Sequence, residues 1–197
     1  MTLDTAWIRD ELTGIRASSN PEIKGPRLET LIRTIFLVVP GMDLEDQDVE
    51  NAYQTEEIDL YFWNDREREG LHFLDCPLLV ECKAWSKPVS GRDLRYFATT
   101  LKDKGRSSGV FIALEGLAGK PAKKTAGFFH VSAAMATGQT VLLITGADIS
   151  SLTCGADLVR LLRRRLTDQV RDQVLAVEAK AKNPKPKKRG AHKTADP

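Results

Sequence analysis

The chain has 197 residues, 42% of them hydrophobic and 28% charged, and a formal net charge of +2 at pH 7. That length and balance suit one soluble globular domain with tails and a sizeable core. They exclude a membrane-spanning protein, since no apolar run approaches a bilayer's thickness and the N-terminus lacks a basic-then-apolar leader pattern.

Three cysteines, Cys76, Cys82 and Cys154, form no CxxC pair and leave an odd count. This points to a reducing, cytoplasmic setting and away from a disulfide framework or a zinc knuckle. The net charge alone identifies no partner. Its distribution says more: acids cluster in 43–69 and bases collect at the C-terminus.

Leu3, Trp7, Ile8, Leu12 and Ile15 recur at helical spacing over 3–17, ahead of the break Ser18-Ser19-Asn20-Pro21. Pro26 is placed at the start of a second helix, 27–38, with Leu28, Leu31, Ile32, Ile35 and Phe36 on its inner face. Glu29 then falls near the first turn. There the helix dipole favours an acid, so compensation of the dipole and a catalytic role stand level.

Pro40-Gly41 ends that helix, and 44–54 reads as a weak, acid-rich first strand. A second strand is expected over 56–63, then a charged turn at 64–70. Leu71-His72-Phe73-Leu74 reads as hairpin arm or bulged extension, and 77–85 as the third strand. Ser90, with Asp93 three residues on, caps a helix running through 102 with Leu94, Phe97, Ala98 and Leu101 buried. Strands at 109–115 and 140–145 flank a helix at 121–137, and the fourth strand is expected to run parallel to a neighbour. From 156 the pattern is helical to 179, and the basic stretch 180–197 has nothing to bury and reads as disordered. Gly116-Leu117-Ala118-Gly119-Lys120 lacks the spacing of a phosphate loop. His72, His130 and His192 have no partners at metal-ligand or triad spacing.

Two stretches carry the chemistry: Thr55-Glu56-Glu57-Ile58-Asp59-Leu60-Tyr61-Phe62-Trp63 and Pro77-Leu78-Leu79-Val80-Glu81-Cys82-Lys83-Ala84-Trp85. Each is a buried-strand pattern interrupted by charge. Alternation puts Glu81 and Lys83 on one face and Val80 and Cys82 on the other. A carboxylate and an ammonium at the end of so apolar a run cost desolvation energy unless something pairs with them. A cation held by Asp59 and Glu81, with Lys83 beside it, meets that cost. Glu56 and Glu57 compete with Asp59, which lies deeper in the apolar run. Residue 57 shares its face and suits a supporting role.

Asp59 followed by Glu81-x-Lys83 resembles the PD-(D/E)xK nuclease superfamily and, within it, the Mrr-like (type IV restriction endonuclease-like) enzymes. The acid Glu29 on the preceding helix and the order of elements through Val141–Gly146 match as well, over roughly residues 25 to 153. Ile58 stands where that family carries proline, and the gap from Asp59 to Glu81 is long.

The resemblance implies an α/β (α+β-like) restriction-endonuclease fold: a central mixed sheet of about five strands flanked by helices. It divides the chain into an N-terminal helical segment (1–24), the nuclease core (25–155), a C-terminal helix (156–179) and a basic tail (180–197). It implies a metal-dependent endonuclease acting on DNA, in restriction or anti-phage defence. A junction resolvase, a repair nuclease and a non-cleaving nucleic-acid-binding module are the alternatives.

Asp59, Glu81, the Cys82 backbone carbonyl and Glu29 become the expected ligands of Mg²⁺ or Mn²⁺, hard cations that oxygen donors select. Lys83 becomes the residue that orients the attacking water. Lys87, Arg92, Arg95, Lys120, Lys123 and Lys124 are placed along the DNA backbone, and solvated surface is the blander reading of each. Two active sites are needed for a double-strand cut, so a homodimer is expected, with targeting or activation from a partner protein and a nucleoid-associated location.

Overall fold

A computed structural model describes residues 1–50, 57–119 and 138–172. The expected helix at 121–137, the tail 180–197, His130, His192, Glu56 and the side chain of Glu57 lie outside the described residues.

The first helix, α1 (Thr5–Ala17), is capped by Asp4, whose carboxylate accepts the N–H groups of Ala6 and Trp7 at 3.0 Å each. Its buried residues Ile8, Leu12 and Ile15 hold the expected helical spacing. The second helix, α2 (Pro21–Leu37), begins five residues before the expected start at Pro26. Asn20 caps it by accepting the Glu22 N–H at 3.0 Å, and Pro21 takes the first helical position, where its missing N–H costs nothing. Pro26 is therefore internal. Its ring gives up one i→i−4 bond, and its φ already suits a helix.

The strands β1 (Met42–Glu50), β2 (Glu57–Asn64), β3 (Leu78–Lys83), β4 (Ser108–Ala113) and β5 (Thr140–Thr145) form one sheet in that order. β1, β2 and β3 pair antiparallel, whereas β4 runs parallel to both β3 and β5. This is the mixed five-stranded sheet of the restriction-endonuclease fold. The third helix, α3 (Gly91–Asp103), crosses from β3 to β4. Asp93 accepts the Ser90 N–H and hydroxyl at 2.8 and 2.7 Å, as the sequence suggested. A short helix α4 (Gly146–Ser150) and the long α5 (Gly155–Asp172) follow β5.

Two layers of apolar side chains cover the sheet. On one face Leu60, Phe62, Val80, Ile112 and Ile144 pack against α1, α2 and α5. On the other Leu79, Phe111, Ala113 and Leu143 meet Leu94, Phe97 and Leu101 of α3. The second packing is close: a Cβ on Gly109 would sit 2.8 Å from Leu101 and 2.9 Å from Phe97.

The segment after β2 is a series of turns rather than a hairpin arm. Asn64, at the end of β2 and buried, donates its amide to the carbonyls of Leu71, Leu74 and Asp75, and Leu71 and Leu74 plug the core. That inward tie replaces strand pairing.

Candidate active site

The site forms where β2 and β3 part. Their paired register runs from Phe62 opposite Leu78 to Leu60 opposite Val80, so Asp59 lies one residue beyond the ladder. Ile58 packs with the α3-side cluster while Leu60 belongs to the other, so the period-two alternation breaks at Asp59. The Asp59 carboxylate accepts the backbone N–H of Cys82 at 2.5 Å. It is thereby fixed against the strand carrying Glu81 and Lys83.

α2 brings Glu29 to the same place. Because the helix starts at Pro21, Glu29 is more than two turns from its N-terminus, beyond the reach of dipole compensation. Its role is not capping. Glu29 is 8% exposed and accepts the Gln47 side-chain amide at 3.2 Å, and Gln47 in turn accepts from Arg33 at 3.2 Å.

The third acid, Asp48 on β1, was not singled out from sequence. The β1–β2 register slips between Leu44 and Asp46, and Asp48 adopts φ 55, a left-handed conformation that aspartate tolerates better than most residues. Glu29, Asp48 and Asp59 each offer an oxygen, and these lie within 4.8 Å of one another.

Three carboxylates this close repel. Burial, then the charges of Asp48 and Asp59, push the Glu29 carboxyl up from 4.5 to about 7. A hard divalent cation relieves that repulsion, and the donors are all oxygens, so the residues fit Mg²⁺ or Mn²⁺.

Glu81 forms an ion pair with Lys83, two residues along β3. Burial works against the Lys83 ammonium, and the Glu81 carboxylate, with Asp59 beyond it, more than compensates, so its pKa is raised. Lys83 is therefore held as a cation. The Cys82 thiol is buried between these charges and pushed well above its ordinary value, first by burial and then by Asp59 and Glu29, so it remains a protonated core group. All three cysteines are free.

Residues 21–153 match the family model Mrr_cat, described as restriction endonuclease. The chain belongs to the Mrr_cat restriction endonuclease family. No curated protein matches it.

The matched span of this restriction endonuclease domain opens at the first residue of α2 and contains Glu29, Asp48, Asp59, Glu81 and Lys83. A hollow of about 190 Å³ on the α3 side is lined by Ile58, Glu81, Lys83, Arg92, Tyr96 and Phe111. Arg92 thus comes to the same hollow as Glu81 and Lys83 of β3, whereas Arg95 is exposed on α3 and does not line that hollow. Lys87 is exposed on the loop after β3. Lys120, Lys123 and Lys124 lie outside the described residues. His72 lies edge-on to Phe73, with ring centroids 5.4 Å apart. Among the described residues no helix is long and apolar enough to cross a membrane.

Proposed function

We propose that this restriction endonuclease domain hydrolyses DNA phosphodiester bonds with Mg²⁺ or Mn²⁺, in restriction or anti-phage defence. The carrying observation is the position of Asp59, whose carboxylate meets Glu29 and Asp48 on one side and the Cys82 N–H on the other.

In this reading Asp59 is the central ligand. Glu81 and the Cys82 carbonyl stand on the β3 side and Glu29 and Asp48 on the α2 side. The cation, when bound, lowers the pKa of a water and neutralises phosphate charge. Lys83, kept charged by Glu81, orients that water and steadies the extra charge on the phosphate in the transition state. Glu29, beside Asp48 and Asp59, supports a water or a second cation at the site. Arg92 and Lys87 meet the strand's backbone phosphates, with Arg95 and the lysines 120, 123 and 124 extending that track.

A homodimer supplies the second active site for a double-strand cut, and a partner protein supplies targeting or activation. Unpaired cysteines fit a reducing, cytoplasmic setting, and DNA as substrate would place the protein at the nucleoid.

Nicking of supercoiled plasmid in Mg²⁺, with EDTA as control, tests the reading. Lys83→Ala and Asp59→Asn should remove nicking while oligonucleotide binding persists. Asparagine still offers Cys82 an acceptor, which keeps the fold out of the comparison. Metal-dependent nicking by both variants would refute the assignment.

A further inference from the structure

A second, larger hollow of about 590 Å³ lies on the α2 side of Lys83. Its walls come from the first turn of α2, the end of β3 and the loop after it, among them Pro21, Lys24, Lys83, Ala84, Trp85 and Lys87. That volume falls in the range of small-molecule and nucleotide sites. Lys83 borders this hollow and the one on the α3 side, so the two meet at the catalytic strand.

Lys24 is the unusual group there. It is 6% exposed, and among the described residues the partner of its ammonium is the Ser86 hydroxyl at 2.7 Å. A buried ammonium normally faces a carboxylate, because a neutral hydroxyl does not offset the loss of water. Its position on α2 adds to the cost, since a cation in a first turn faces the positive end of the helix dipole. The fold gains nothing evident from a charge at this point, whereas an arriving anion would be met by both the ammonium and the dipole. The N–H groups of Glu22, Ile23 and Lys24 are already bonded to Asn20, so the side chains do the binding. Beside Lys24 stands Trp85, 41% exposed, a face on which a base can stack.

We infer that this hollow holds one nucleotide of the DNA strand next to the scissile phosphate, its phosphate on Lys24 and Ser86 and its base against Trp85. This rests on the nuclease reading and adds a subsite to it. Taking a nucleotide into a pocket requires it to leave the stack, so single-stranded or frayed substrate is preferred over intact duplex.

The test is fluorescence anisotropy of a short dye-labelled single-stranded oligonucleotide in EDTA, across a salt series. The proteins are the wild type, Lys24→Met, Trp85→Ala and the exposed control Lys102→Ala. Methionine keeps the stem that packs and removes the charge, and thermal melts confirm the fold. Lys24→Met is expected to weaken binding about tenfold and to flatten the salt slope by about 0.7, one phosphate's worth for a single strand. Trp85→Ala is expected to weaken binding without changing that slope. Lys102→Ala should do neither.

An unchanged Kd and slope in Lys24→Met, with wild-type nicking intact, overturns the subsite and leaves the nuclease standing. A lower melting temperature with unchanged binding also overturns it, since Lys24 then serves the fold. A wild type that neither binds nor cuts removes both readings together.

Discussion

Two buried acids in this molecule, equally hidden, live in opposite surroundings. Asp148, 9% exposed, accepts the Thr145 N–H and hydroxyl and the Arg165 guanidinium, all at 2.8 Å. Its charge is cancelled and its oxygens are occupied by the protein itself. Glu29, 8% exposed, faces two further carboxylates and is helped by one amide. A fold seeking stability builds the first arrangement. The second costs stability in the metal-free protein and makes sense as a place made ready for positive charge from outside.

Cutting the satisfied pair should have the largest effect on the fold. Asp148→Ala leaves the Arg165 guanidinium buried without its carboxylate, and such a loss costs about 3–5 kcal/mol. The melting temperature should fall steeply. A melt like that of the wild type would mean that the pair is not the structural anchor claimed for it. Lys83→Ala and Asp59→Asn probe the other region and should reverse the pattern, with a melt close to wild type and a barrier to hydrolysis raised by about 3 kcal/mol or more. Plasmid-nicking rates alongside melts separate the two behaviours.

The sequence exposed these two regions unequally. Glu81-x-Lys83 was legible because two ionic residues close an apolar run, a pattern that burial alone does not produce. The strands, the α3 cap at Ser90 and the parallel β4 were legible from periodicity and turn residues. Glu29 was visible as an acid, and its setting was misjudged because Pro26 reads as a helix start while Asn20 and Pro21 provide the real one. Asp48 carried no usable signal. It stands in a run with Asp43, Glu45 and Asp46, and what selects it is a register slip and a left-handed φ that no local pattern announces. Its partners are 11 and 19 residues away along the chain, and only the packing of α2 over β1 and β2 brings them together.

Titration sharpens the contrast further. The Glu29 carboxyl is raised from 4.5 to about 7 by burial and by its acidic neighbours. A raised pKa means that the folded protein holds a proton which the unfolded chain has released. Its contribution is complete below pH 4.5 and is lost as pH climbs through about 7. In EDTA the wild type should therefore melt lower at pH 8 than at pH 5 relative to Glu29→Gln, with a gap on the order of 2 kcal/mol. Adding Mg²⁺ should restore the wild type and leave Glu29→Gln less affected. A gap of the same size at both pH values would show that Glu29 does not titrate against its neighbours.

The smallest effect comes from a third acid that resembles Asp148 in being satisfied and differs in being held by hydrogen bonds at a helix start. Asp157, in the first turn of α5, accepts the Thr153 hydroxyl at 2.6 Å and N–H at 2.8 Å, then the Cys154 N–H at 3.2 Å, and pairs with Arg160. The Thr153 hydroxyl first, and its N–H next, hold this carboxyl well below the usual carboxylate range. The sign is opposite to that of Glu29. Asp157 contributes above its ordinary value of 3.8, and the contribution is lost as pH falls below it. Asp157→Asn should cost about 1 kcal/mol near neutrality, the usual worth of such a cap, and the difference from wild type should close in acid. The two variants therefore part from the wild type in different windows, Glu29→Gln as pH rises from 4.5 and Asp157→Asn only above the acid range. A gap for Asp157→Asn that widened on acidification would place its carboxylate among repelling charges, which is the situation that distinguishes Glu29.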